Sequence, residues 1–305
     1  MTLSLAKFDI SIKPKELIVL PRENKGNILR GGFGHTFKNM ICVKNFDFKC
    51  KECEFLNNCP YPTVFESSPP SNSEILSKNA DIPRPFVIKA PITKKTEYTN
   101  QDTIKFSLVL VNKVIKLLPY FITTFKELGI QGINKPNKGK FDILSIKTNE
   151  KDIYNDGVLQ NYSEYLTFDK KEKVSYIKLE FLTETTLKDK GIIIQNPNFS
   201  SLIKRLRDRI SSLALFYGDG WNIDFKQLGL DAEKVIKTED NTYWNEKSRF
   251  SKRKGVKHDM SGFIGEVAFE GDITPFMEIL EIGQYIHVGK GAVFGNGWYR
   301  IVEFR

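Results

Sequence analysis

Apolar residues recur along this chain in two rhythms: a step of two marks strands, and steps of three and four mark helices. Residues 3–20 alternate, with Ile10 and Ile12 ahead of Leu17-Ile18-Val19-Leu20, which predicts one or two strands around Lys13-Pro14-Lys15. Pro21–Gly26 reads as a loop. Leu29, Phe33, Phe37 and Met40 or Ile41 then fall on one helical stripe. His35 lies about 200° round from Phe33 on an ideal helix, so it faces the polar side with Gly31, Lys38 and Asn39. Gly31-Gly32 weakens the start of that helix. Pro85–Tyr98 and Thr103–Leu110 read as strands joined near Asn100-Gln101-Asp102. A helix is predicted over Val111–Leu128, kinked at Pro119 and capped by Gly129. The strand Phe141–Lys147 follows.

Polar Asn149–Gly157 marks a boundary. Beyond it come a strand at Tyr176–Thr183 and a helix over Phe199–Tyr217, striped by Leu202, Leu206, Ile210, Leu213 and Tyr217. A strand at Gly265–Phe269, a helix over Thr274–Ile282 and a final strand complete the pattern. Both halves read β-α-β-β-α-β, the ferredoxin-like order. The expected class is α+β: two tandem ferredoxin-like domains, 1–150 and 151–305, with a cysteine-rich insertion at about 42–66.

Charge narrows the partner. A net charge of +9 favours a polyanion. No apolar run reaches the ~20 residues that cross a bilayer, so no membrane partner is expected. The first residues lack a secretion-signal layout, and a cytoplasmic location is expected. Lys204, Arg205, Arg207 and Arg209 line one side of the long helix, either as a solvated face or as phosphate contacts. Between Tyr243 and Met260, Arg249, Lys252, Arg253 and Lys254 interleave with Tyr243, Trp244 and Phe250, a composition that holds phosphates and stacks bases. Near the C-terminus stands His287-Val288-Gly289-Lys290-Gly291-Ala292-Val293-Phe294-Gly295-Asn296-Gly297. Strand is expected on both sides of it. Its glycines allow positive φ and can turn N–H groups toward phosphates, with Lys290 adding a cation. A plain hairpin connection is the alternative.

All four cysteines, Cys42, Cys50, Cys53 and Cys59, fall within one short stretch, with Cys50 and Cys53 forming a C-x2-C knuckle. Four thiolates suit a structural, tetrahedral zinc ion. An iron–sulfur cluster and free thiols are the rival readings.

Leu29-Arg30-Gly31-Gly32-Phe33-Gly34-His35, the cysteine group and Tyr61…Phe65-Glu66 form one signature. Arg249-Phe250-Ser251, Gly262-Phe263-Ile264-Gly265-Glu266-Val267, Phe269-Glu270-Gly271-Asp272, His287-Val288-Gly289-Lys290-Gly291 and Phe294-Gly295-Asn296-Gly297-Trp298-Tyr299 form another. Together they resemble the CRISPR-associated endoribonucleases that process precursor crRNA, members of the RAMP superfamily. The resemblance implies metal-independent cleavage of CRISPR repeat RNA by the ribose 2′-OH, leaving a 2′,3′-cyclic phosphate and a 5′-OH. It also implies RNA contacts from the glycine-rich stretch and from Arg30.

That chemistry needs proton transfer and a cation for the phosphorane oxygens. Imidazole ordinarily titrates near neutrality. Of His35, His258 and His287, His35 is the expected acid or base, with Lys38 one turn away to stabilise the phosphate. His287 is expected to position the loop and touch RNA. No catalytic metal is expected. A CRISPR effector complex and a homodimer are further candidate partners. The alternatives are a non-catalytic crRNA-binding RAMP subunit and a zinc-dependent nucleic-acid hydrolase. A closed sphere of four cysteines disfavours the hydrolase.

Overall fold

The computed structural model describes residues 3–305 apart from 24, 45, 68–81, 135–137, 156, 163, 190 and 252–254, with the side chains of 249–251 and 256–257 also outside the description. The chain forms two units, Met1–Leu166 with Ser212–Gly220, and Thr167–Ser211 with Trp221–Arg305.

In the first unit, strand β1 (Leu5–Pro14) obeys its alternation. Phe8, Ile10 and Ile12 are buried, while Lys7, Asp9, Ser11 and Lys13 take the other face. Helices α1 (Lys25–Ile41) and α2 (Pro60–Val64) follow, then strands β2 (Phe86–Lys89) and β3 (Ile104–Val111), helix α3 (Leu118–Gln131), and strands β4 (Phe141–Thr148) and β5 (Lys151–Asp152). The sheet order is β2-β3-β1-β4-β5, all antiparallel. Its first four strands are the ferredoxin-like set. Phe33 of α1 is the hub of the core. Its ring lies 4.8 Å from Phe121, 5.0 Å from Phe125, 5.4 Å from Phe37 and 5.7 Å from Phe65, centroid to centroid. Such pairs contribute about 0.5–1.5 kcal/mol each beyond area burial. The absence of a side chain at Gly34 is filled by Phe65, whose ring carbon would stand 2.6 Å from an added Cβ.

Three expectations are corrected here. The segment Pro85–Tyr98 is not one strand: β2 stops at Lys89, just before Ala90-Pro91, and Glu97–Tyr98 pairs separately with Ile18–Val19. Pro119 does not kink a helix. A 3-10 turn covers Asn112–Leu117 and α3 begins at Leu118, so the missing N–H of proline falls in the first turn, where no partner is needed. Gly129 is interior to α3, pressed against the Phe141 carbonyl, and Gly132 at φ 90° ends the helix instead.

The second unit runs β6 (Tyr176–Thr185), α4 (Phe199–Tyr217), α5 (Phe225–Glu233), β7 (Ile236–Asn245), β8 (Ser248–Ser251), β9 (Val256–Asp259), β10 (Gly262–Glu270), α6 (Met277–Ile286) and β11 (Tyr299–Phe304). The end of α4 from Ser212, with Leu213 and Tyr217 of its core stripe, belongs with the first unit, along with Gly218–Gly220. The sheet order β7-β10-β6-β11 is again the ferredoxin-like arrangement. The sequence reading missed α5. Asp224 caps it, accepting from the N–H groups of Lys226 and Gln227. Tyr285 and Ile286, read as strand, are the last turn of α6.

Lys89 gives the first prediction. It is half-buried, and burial, then the neighbouring Lys7, lower its ammonium from near 10.5 to about 8, against the opposing pull of Asp9. Folding therefore disfavours the proton on Lys89. The penalty is full below about pH 8 and fades toward pH 10.5, where the unfolded chain also loses the proton. Lys89→Met is expected to stabilise the protein at pH 7 by about 1–3 kcal/mol. That gain should vanish in melts near pH 10.5.

Candidate functional site

In the first unit, α1 presents His35 to solvent. The Nδ2 atom of Asn39, one turn on, stands 3.2 Å from His35 Nε2. With the amide donating, Nε2 accepts and the ring proton sits on Nδ1. The His35 ring also packs 4.8 Å from Phe46, in the chain that folds back after α1.

Lys38 is placed otherwise than expected. The same returning chain covers its flank of α1, so its ammonium is buried. It donates to the Phe48 carbonyl at 3.3 Å, lies 4.0 Å from Glu66 and faces the Phe46 and Tyr61 rings. It is a core cation and not a surface partner for a phosphate beside His35. Arg30 is half-buried with its guanidinium 5.1 Å above the Phe65 ring. All four cysteines line one cavity in this unit. Burial first, then the Glu66 carboxylate, pushes the Cys50 thiol up to about 12.

In the second unit, His287 ends α6 at φ 63°, fully buried. Its Nδ1 lies 3.2 Å from the Asn296 carbonyl and its ring stacks on Trp298. It positions the glycine-rich loop from within, which leaves no surface for RNA. Gly289, Gly291, Gly295 and Gly297 all have positive φ. At Gly297 an added Cβ would fall on the Val288 carbonyl oxygen.

The loop's donors are not all turned outward. The N–H groups of Lys290 and Gly297 donate to Thr186 and Glu184, and those of Phe294, Gly295 and Asn296 close on carbonyls within the loop. Lys290 is exposed, and its ammonium reaches the Asp259 carbonyl at 3.0 Å. The Asp259 carboxyl is held below the usual range by the Ser261 hydroxyl and N–H, with Lys290 adding to this. Gly297→Ala is expected to cost about 2–4 kcal/mol, through forced positive φ and the carbonyl clash. It should also weaken RNA binding in a filter assay, whereas Gly191→Ala, with open space around it, should leave that binding alone.

The basic side chains of α4 have partners within the protein. Lys204 faces Asp189 at 3.5 Å and Arg205 faces Asp208 at 3.4 Å. Arg207 pairs with Asp208 at 2.7 Å, and Arg209 donates to the Ile286 carbonyl at 2.9 Å, anchoring the end of α6 ahead of the loop. Arg249 lies on β8, but its side chain is outside the description. Lys252, Arg253 and Lys254 lie outside the described residues.

Two family models match the chain. One, described as an N-terminal domain, covers residues 3–165, more than half of the chain. The other, described as CRISPR-associated endoribonuclease Cas6, covers residues 179–299. The second half of the chain matches the CRISPR-associated endoribonuclease family over residues 179–299.

Solved structures agree in fold. A Cas6 product complex superposes with TM-score 0.57 at 12% identity, over 99% of this chain and all of that one. Cas6 of Thermus thermophilus gives 0.54 at 10%, over 98% and 99%. An uncharacterized protein of Archaeoglobus fulgidus is 24% identical over 283 residues, 90% of this chain and 91% of its own length. The match over residues 179–299 supports an RNA-cleaving enzyme of CRISPR RNA processing. Sequence reasoning missed one feature beside its glycine-rich loop. Glu184 and Lys247 form a buried ion pair at 2.7 Å, and Asn245 donates to the same carboxylate at 2.8 Å. Neither charge sits in a motif, and only the fold brings residues 63 positions apart together.

Proposed function

We propose that this protein cuts CRISPR repeat RNA in precursor crRNA without a catalytic metal, and that His35 transfers the proton. The observation that carries the reading is the exposed His35 imidazole, oriented by Asn39 and backed by Phe46. Once the Asn39 amide gives way to the RNA, the neutral Nε2 can take the 2′-OH proton. The 2′-oxygen then bonds to the adjacent phosphorus and the P–O5′ bond breaks. The leaving 5′-oxygen takes up a proton, giving 2′,3′-cyclic phosphate and 5′-OH ends. An imidazole can serve either step. The buried Lys38 does not reach an exposed phosphate, so the stabilising cation comes from elsewhere along the RNA surface. Exposed Lys290 on the glycine-rich loop and the exposed Tyr243 ring are the supports for RNA holding in the second unit.

The test is incubation with repeat RNA in EDTA and end-group analysis of the products. Cyclic phosphate ends formed at an undiminished rate support the reading. Tight binding of uncut RNA would favour a non-catalytic crRNA-binding subunit, and cleavage lost on chelation would remove the metal-free route.

A further inference from the structure

The cleavage reading uses none of the four cysteines, yet they line one cavity of about 220 Å³ in the first unit. Local turns gather them there. The Cys42 N–H donates to the Lys38 carbonyl at 2.9 Å, which fixes Cys42 on the end of α1. Cys50–Glu52 is a 3-10 turn closed by the Cys53 N–H on the Cys50 carbonyl at 3.0 Å. Side chains three apart eclipse in such a turn, so both thiols fall on one side. The Cys59 N–H closes on the Phe55 carbonyl at 2.9 Å, and Cys59 then starts α2. All four are free thiols, and they are the only cysteines in 305 residues. Lys44 lines the same cavity, paired with Glu54 at 2.8 Å. Among the described residues no three candidate ligands surround a common point. Binding an ion here therefore requires residues 46–59 to tighten onto the end of α1.

We infer that Cys42, Cys50, Cys53 and Cys59 form a structural zinc site that closes by this tightening. Four thiolates at about 2.3 Å fill a tetrahedral sphere and leave no open position, so no reaction passes through the ion. Each thiol that becomes a ligand gives its proton to the solvent. The gain is rigidity. Phe46, in the tightened segment, is the ring against His35. The site stands independently of the cleavage reading, since its test needs no RNA.

Purified full chain should hold about one zinc by elemental analysis. Release by a mercurial reagent should speed hydrogen exchange across 46–59 and be reversed by added zinc. Cobalt in place of zinc should show thiolate-to-metal charge transfer in the near ultraviolet and tetrahedral bands in the red. Cys50→Ser with Cys53→Ser should abolish these signals. Should that pair fail to fold, Cys42→Ser alone should still lose zinc to a chelator faster than the wild type. A folded wild type that holds no metal and shows no cobalt charge transfer overturns the proposal. Iron with acid-labile sulfide overturns the assignment to zinc.

Discussion

His35→Ala is expected to slow cleavage of bound repeat RNA by about 10²–10⁴-fold, the usual worth of a positioned acid or base. This equals about 3–5 kcal/mol of barrier. The side chain is exposed on α1, against Asn39 and Phe46, so its loss opens no cavity in the Phe33 core. Stability and RNA affinity should therefore stay near wild type. Single-turnover rates at saturating RNA isolate the chemical step from binding. Asn39→Ala, which frees the ring without removing it, should give a smaller loss of rate with the same product ends. If His35→Ala cuts within threefold of wild type, the proton is moved by another group and the assignment fails.

Much of this was legible in the chain. The stripe of Leu29, Phe33 and Phe37 placed α1, and the position of His35 opposite that stripe put it in solvent. The order of elements gave both ferredoxin-like sheets, because the alternation in β1 and the amphipathic runs of α3 and α4 are strong local signals. Side-chain direction on the flanks was not legible. Lys38 lies off the apolar centre of α1, and its burial depends on where Phe46, Phe48 and Tyr61 return, which is a tertiary event. The partners of the basic run on α4 were only partly legible. Asp208 stands within the same helix, whereas Asp189 and the Ile286 carbonyl arrive from other parts of the fold. Asp224 ahead of Phe225 is an N-cap signal that could have found α5.

Lys247→Ala is expected to destabilise the second unit by about 3–5 kcal/mol, because it strands the buried Glu184 carboxylate. Both side chains of the pair are almost inaccessible, at 10% and 6% exposure, and Glu184 keeps Asn245 at 2.8 Å as a donor. One neutral amide does not replace an ammonium in a site of low polarity. Changing both partners, Glu184→Gln with Lys247→Met, removes both charges and should cost clearly less than the single change. Thermal melts of the three proteins test this, and equal losses for single and double variants would show that packing, not charge, matters at Lys247. The pair also ties the loop to its surroundings. The Glu184 carbonyl accepts the Gly297 N–H, and the Lys247 carbonyl accepts the Met260 N–H. A single variant that still folds should therefore bind repeat RNA more weakly while cutting bound RNA at the wild-type rate. The His35 variant should do the reverse, and this opposite split distinguishes holding the RNA from breaking it.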